Sequence, residues 1–76
     1  MAYLTVEAAR AMGERHAAGD RERVERGGPV AQHSLDMERV RHEKWITTLE
    51  TWEREGNPAE ILAGERAYGR ARWGID

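Results

Sequence analysis

The sequence predicts an all-α protein of three to four helices, which form a small open helical domain that partner subunits complete. No stretch alternates apolar and polar residues for long enough to form a strand, whereas apolar residues recur at helical spacing between Leu35 and Trp52. The chain has 76 residues and no cysteine. Because domains this small usually gain stability from disulfides, a metal or oligomerisation, we expect one domain, residues 1–76, that is partly buried by a partner.

The first part of the chain predicts two weak helices. The first spans about residues 5–18, with Thr5 as N-cap and Gly19 after its end. The second spans about residues 20–26. The tripeptide Gly27-Gly28-Pro29 is expected to end it, because two glycines and a proline do not continue a helix. Residues 30–33 then form an extended connector.

The third predicted helix, residues 34–55, has the strongest pattern. Ser34 is the expected N-cap and Gly56 is expected to end the helix. Asp36 and Glu38 fall in the first turn, where negative charge interacts favourably with the positive end of the helix dipole. A 3-4-3-4-3 spacing connects Leu35, Glu38, His42, Trp45, Leu49 and Trp52.

The fourth predicted helix has the clearest start in the chain. Asn57-Pro58-Ala59-Glu60 supplies a cap, a proline at the first helical position and a glutamate three residues after the cap. Gly74 is expected to end this helix.

Charge and hydropathy exclude two classes of partner. The 12 basic and 14 acidic residues give a net charge of −2 and are interspersed along the chain. A nucleic-acid-binding protein would need a basic face. No apolar run approaches the roughly 20 residues that span a membrane, and the first six residues lack the pattern of a secretory signal. We therefore expect a cytoplasmic protein without nucleic-acid or membrane partners.

Histidine spacing does not predict a metal site. Glu43 follows His42, but no second histidine lies four residues further on, so the zinc-protease pattern is absent. The default interpretation of each histidine is a solvent-facing or interfacial side chain. We assign no metal ligand to this chain.

The tryptophans are more informative, since three in 76 residues is a high content. Trp45 and Trp52 lie two turns apart on the third predicted helix. They either form the chain's own core or anchor an interface with a partner, and few aliphatic residues elsewhere are available to cover both. We predict that Leu49 and Trp52 contribute to such an interface.

The third predicted helix also carries a family resemblance. A pattern of eight residues between 43 and 56 is similar to a helix in the N-terminal half of the nitrile hydratase β subunit. It consists of Glu43, Trp45, Ile46, Thr48, Leu49, Glu50, Glu55 and Gly56. Upstream, residues 21–26 and the following Gly-Gly-Pro resemble the family's Arg-x-x-Ile-Glu-Arg and proline turn. Residues 58–66 resemble the segment that follows its helix, so the three pieces cover about two-thirds of the chain.

The chain departs from the family in four respects. Arg41 and His42 stand where the family usually has a Tyr-Tyr pair. The connector before Trp45 is longer, and the glycine-rich opening segment and barrel-like C-terminal half of the β subunit are missing. The resemblance therefore points to three-subunit enzymes with a split β subunit, such as thiocyanate hydrolase and the toyocamycin nitrile hydratase.

The resemblance implies a function for this chain. It would be a small non-metal subunit of an enzyme that hydrates a nitrile to an amide, assembled with an α subunit and a separate C-terminal β-like subunit. Cobalt(III) or iron(III) would be held by cysteines of the α subunit. By position, Arg21 would bond to the oxidised cysteines of that partner. Trp45, Arg41 and His42 would contact substrate.

Alternatives remain open from the sequence. Arg21 is equally an ordinary helix-surface charge beside Asp20. The composition and the tryptophan-bearing helix also fit a non-enzymatic helical interaction or adaptor protein, or a nitrile hydratase activator or metallochaperone.

Overall fold

The computed structural model describes residues 5–75, which form two helices, α1 (Val6–Arg54) and α2 (Glu60–Trp73). Helix α1 is bent at Gly28, where φ 59° and ψ −140° leave the helical region. We call residues 6–27 the N-terminal arm and residues 29–54 the C-terminal arm. No strand occurs within residues 5–75, so the predicted all-α class is confirmed. The helices number two, one of them bent, rather than three to four. Residues 1–4, on which the expectation about a secretory signal largely rests, lie outside the described residues.

The N-terminal arm is longer than either helix predicted for it. Thr5 is the N-cap, as predicted, and its hydroxyl oxygen accepts a hydrogen bond of 2.9 Å from the Ala8 N–H. Gly19 does not end the helix, so the prediction of two separate helices is wrong here. An interior glycine costs only about 1 kcal/mol relative to alanine. Hydrogen bonds that the adjacent Asp20 accepts from Arg72 offset that cost.

Only Gly28 of the Gly27-Gly28-Pro29 tripeptide leaves the helical conformation at the bend. Gly28 takes a positive φ, a conformation that glycine adopts without steric penalty. Pro29 follows at the start of the C-terminal arm, where a missing N–H breaks no helical hydrogen bond. Residues 30–33 are therefore helical and Ser34 lies inside a helix. The predicted extended connector and the predicted Ser34 cap are wrong.

A short turn reverses the chain between the C-terminal arm and α2. Glu55 caps α1 and Gly56 takes φ 93°, which confirms the predicted stop. The Asn57 side chain donates to the Trp52 carbonyl at 3.0 Å, so it closes α1 instead of capping α2. Ala59 is the N-cap of α2, without a side-chain bond. Gly74 ends α2 in the left-handed conformation, as predicted.

Helix α2 packs against both arms, and the molecule measures 43 × 22 × 19 Å. Leu35, His42 and Leu49, which recur every seven residues, are the buried positions of the C-terminal arm. Trp45 and Trp52 share the predicted spacing but are 43% and 48% exposed. The buried hydrophobic residues within 5–75 are Ala9, Leu35, Leu49, Leu62 and Tyr68. None of the helices described is long and apolar enough for a transmembrane span.

Candidate functional site: a polar and aromatic cluster between the arms

Arg72 of α2 joins the two arms of α1. Its Nε and Nη2 atoms donate to the Asp20 carboxylate of the N-terminal arm at 2.7 and 3.0 Å. Nη2 also donates to the Glu38 carboxylate of the C-terminal arm at 2.8 Å. The Arg72 side chain is only 11% exposed. The hydrogen bonds that Arg72 donates to Asp20 raise the pKa of Arg72, so this guanidinium is a permanent cation where three helical segments meet.

Tyr68 extends this cluster toward the N-terminal arm. Arg72 Nη1 donates to the Tyr68 hydroxyl oxygen at 2.8 Å, and that hydroxyl lies 2.6 Å from His16 Nδ1. Because Arg72 donates, the tyrosine hydrogen can be donated to His16. Burial raises the pKa of Tyr68, although the Arg72 cation opposes the effect. The phenol therefore remains neutral, and its hydrogen bond with His16 links α2 to the N-terminal arm.

The indole ring of Trp73 packs against the guanidinium of Arg72. The guanidinium carbon lies 4.5 Å from the Trp73 ring centroid, within cation–π range. Tyr68 meets the same ring edge to face, with centroids 5.9 Å apart. The Trp73 Nε1–H is buried and finds no acceptor among residues 5–75.

The ring nitrogens of His42 connect the C-terminal arm to Glu65 of α2. His42 Nε2 lies 3.1 Å from the Glu65 carbonyl oxygen, and Nδ1 lies 3.6 Å from the Glu65 carboxylate. The two side chains are 7% and 14% exposed. Gly69 provides the space for the imidazole, because a Cβ at that position would lie 2.6 Å from His42 Nε2.

Arg41, His42 and Trp45, the residues predicted to bind substrate, line one open groove. Tyr68, Arg72 and Trp73 line the same groove from α2. Arg41 and Trp45 are exposed, whereas the His42 ring is buried beneath them and bonded to Glu65. The structure thus brings all three predicted residues together and leaves two of them accessible. Their contact with substrate stays a prediction.

Arg21 lies in a neighbouring groove between the two arms. Its side chain is exposed, and no carboxylate of the described chain pairs with it. Arg39 and Gln32 also line this groove, together with Arg72 and Trp73. Arg72 and Trp73 line both the Arg21 groove and the Arg41–Trp45 groove.

The two predicted interface residues differ in accessibility. Leu49 is 3% exposed and belongs to the chain's own core. Trp52 is 48% exposed and is free to meet a partner. Among residues 5–75, no three histidine, aspartate or glutamate side chains are grouped so that they could hold a metal ion.

The sequence did not identify Arg72, Tyr68, Glu65 or Asp20 as residues of this site. Tyr68 and Arg72 lie four residues apart on α2, a spacing that places them on one face. Their partners lie far away in sequence: Asp20 is 52 residues from Arg72, and Glu38 is 34. Local spacing carries no signal for such pairs.

No protein-family model, curated protein or solved structure matches this chain.

Proposed function

We propose that this chain is a small non-metal subunit of a nitrile hydratase-like enzyme, which hydrates a nitrile to an amide. Its partners are a cysteine-bearing α subunit with cobalt(III) or iron(III) and a separate C-terminal β-like subunit. The observation that carries the proposal is the pair of adjoining grooves. Arg21 lines one, Arg41 and Trp45 line the other, and Arg72 and Trp73 line both. In this proposal the partner subunits cover both grooves.

In this proposal the Arg41–Trp45 groove forms part of the substrate pocket. Trp45 is 43% exposed, so its indole offers an apolar plate for an organic nitrile. Arg41 lies one helical turn away and offers N–H donors for polar groups of the substrate. The buried His42 lies behind Arg41 and Trp45 and is held in place by its contact with Glu65.

In this proposal Arg21 does not contact substrate but donates hydrogen bonds at the partner's metal site. Its guanidinium carries no ion pair within residues 5–75, so its donors are available to an anionic group. Oxygens of oxidised cysteines would be such groups, and charge-assisted bonds to them would hold the ligands in position. The partner's metal supplies Lewis-acid activation of the nitrile.

The Arg21→Ala variant, assembled with its partners, tests this assignment. Loss of an outer-sphere donor typically lowers activity by about 10–100-fold, and we expect a loss of nitrile hydration in that range with the complex still assembled. Arg10→Ala is the matched control, because Arg10 is exposed on the same arm but lines neither groove. Equal activity of the two purified variant complexes contradicts the role of Arg21.

A non-enzymatic interaction protein is the second candidate. The observation that favours it is the exposure of two tryptophans, Trp45 and Trp52, on the same arm. Exposed apolar surface of this kind marks protein-binding sites whether or not a pocket is present. A partner without bound metal or hydratase activity would support this function. A separate complete β subunit encoded beside this chain would instead favour an activator or metallochaperone.

A further inference from the structure

Helix α1 changes direction at one residue. Gly28, at φ 59° and ψ −140°, is the residue of Val6–Arg54 that leaves the helical region. Glycine adopts a positive φ without a steric penalty, and a Cβ at this position would meet no atom within 4 Å. Two backbone dihedral angles therefore determine whether the N-terminal arm folds back over α2 or points away from it.

The contacts that seat the N-terminal arm on α2 do not involve the bend. A Cβ at Gly13 would lie 2.6 Å from the Tyr68 carbonyl oxygen, and His16 Nδ1 lies 2.6 Å from the Tyr68 hydroxyl oxygen. The Asp20 carboxylate accepts hydrogen bonds of 2.7 and 3.0 Å from Arg72. An N-terminal arm from another copy of the chain carries the same residues and therefore fits the same site on α2.

We propose that Gly28 is a hinge through which the N-terminal arm leaves its own α2 and packs on the α2 of a second copy of this chain. The product is an arm-exchanged dimer, in which the hydrogen bonds between Asp20 and Arg72 join two chains. Exchange of identical elements is a low-cost route to dimers, because both copies already have the complementary surfaces. Arm exchange concerns the fold of the chain and does not depend on the proposed enzyme function.

Gly28 and Pro29 together favour the folded-back monomer in the natural chain. Pro29 lies at the start of the C-terminal arm, where its missing N–H breaks no helical hydrogen bond. In a straightened α1 the same proline would lie inside a helix, lose a hydrogen bond and clash with the Glu25 carbonyl. A short connection also holds the arm near its own α2 at an effective concentration on the order of millimolar. We therefore expect the natural chain to be monomeric at micromolar concentration and to exchange arms increasingly toward the millimolar range.

The Gly28→Ala variant tests the hinge by straining the folded-back form. Alanine at φ 59° is strained, and the added Cβ gains no contact there. Alanine before a proline prefers an extended backbone with negative φ, which directs the arm away from its own α2. Strain of this kind changes an equilibrium by about tenfold, and the dimer relieves it at two hinges, so we expect the dimerisation constant to rise by about 100-fold.

The Pro29→Ala variant favours exchange by a different route. It leaves Gly28 in place, so the folded-back form is not strained. It restores the N–H and removes the clash that oppose a continuous α1. We expect its dimerisation constant to rise by at least about tenfold over that of the natural chain. If Gly28→Ala does not fold, Pro29→Ala decides the question.

Gly19→Ala is the matched control for both variants. It makes the same glycine-to-alanine change on the same arm, and the added Cβ would again meet no atom within 4 Å. Gly19 is helical, so alanine fits its backbone and should leave the natural dimerisation constant unchanged. Sedimentation equilibrium of the full chains measures these constants. A Gly28→Ala chain that folds and has the same constant as Gly19→Ala overturns the proposal.

Isotope-filtered NMR distinguishes arm exchange from association through another surface. Labelled and unlabelled chains of the dimeric variant are refolded together in equal amounts. The rings of His16 and Tyr68, whose centroids lie 5.5 Å apart, should then give nuclear Overhauser effects between labelled and unlabelled chains. A dimer in which these effects remain within one chain overturns the proposal.

Discussion

The two arms of α1 are attached to α2 by different kinds of contact. The C-terminal arm buries the large aliphatic side chains of Leu35 and Leu49. The N-terminal arm buries only Ala9 and Gly13, and a Cβ at Gly13 would lie 2.6 Å from the Tyr68 carbonyl oxygen. Close backbone approach and polar bonds hold this arm in place. Its attachment should therefore respond to charge and hydrogen-bond changes, whereas the hairpin of the C-terminal arm and α2 should respond to changes in apolar volume.

The largest expected effect is on the hairpin. Leu49→Ala removes a buried side chain that is 3% exposed, and such truncations cost roughly 2–5 kcal/mol of unfolding free energy. Met37 lies on the same arm but is 47% exposed, so Met37→Ala should change stability by less than about 0.5 kcal/mol. Urea unfolding of the two variants measures the difference. Similar losses in both would mean that Leu49 is not a core residue.

A smaller and more local effect is expected at Arg72. Arg72→Met keeps much of the side-chain length but leaves the Asp20 and Glu38 carboxylates without their donor. Such losses cost roughly 1–3 kcal/mol. The Asp20 side chain is 14% exposed, so water replaces the lost bonds poorly. Hydrogen exchange should accelerate in the N-terminal arm before it does in the hairpin.

Arg66→Met provides the control for that experiment on the same helix. The Arg66–Glu50 pair is short, at 2.6 Å, but its side chains are 45% and 38% exposed. Solvent-exposed pairs contribute about 0–1 kcal/mol, so we expect little change in exchange in either arm. Uniform acceleration across the whole chain in Arg72→Met would contradict a separate attachment of the N-terminal arm.

The sequence predicted those parts of the fold that local chemistry determines. The Thr5 cap, the stops at Gly56 and Gly74, and the break within Gly27-Gly28-Pro29 depend on neighbouring residues only. The stop at Gly19 was wrongly predicted because a glycine is a weak signal and distant contacts decide the outcome. Asp20, the next residue, is fixed by Arg72 from 52 positions away. Asn57 and Ser34 have the side chains of caps, yet the chain begins its helices elsewhere.

The candidate site was predictable to a similar degree. Helical spacing identified the arm that carries Arg41, His42 and Trp45, and the structure places all three at one groove. Spacing could not distinguish the accessible Trp45 from the buried His42, because that depends on where α2 packs. Leu49 and Trp52 show the same limit, since only Trp52 has an accessible side chain. The role of Arg72 could not be found at all, because its two carboxylates come from different arms.

Co-purification with the proteins encoded beside it, followed by metal analysis and an assay of nitrile hydration, tests the central proposal most directly. We expect this chain to be recovered in a stable complex with a cysteine-bearing subunit and a C-terminal β-like subunit. That complex should contain cobalt or iron and convert a nitrile to its amide. Recovery of the chain with a partner that lacks metal and hydratase activity would contradict the proposal and favour a non-enzymatic interaction protein.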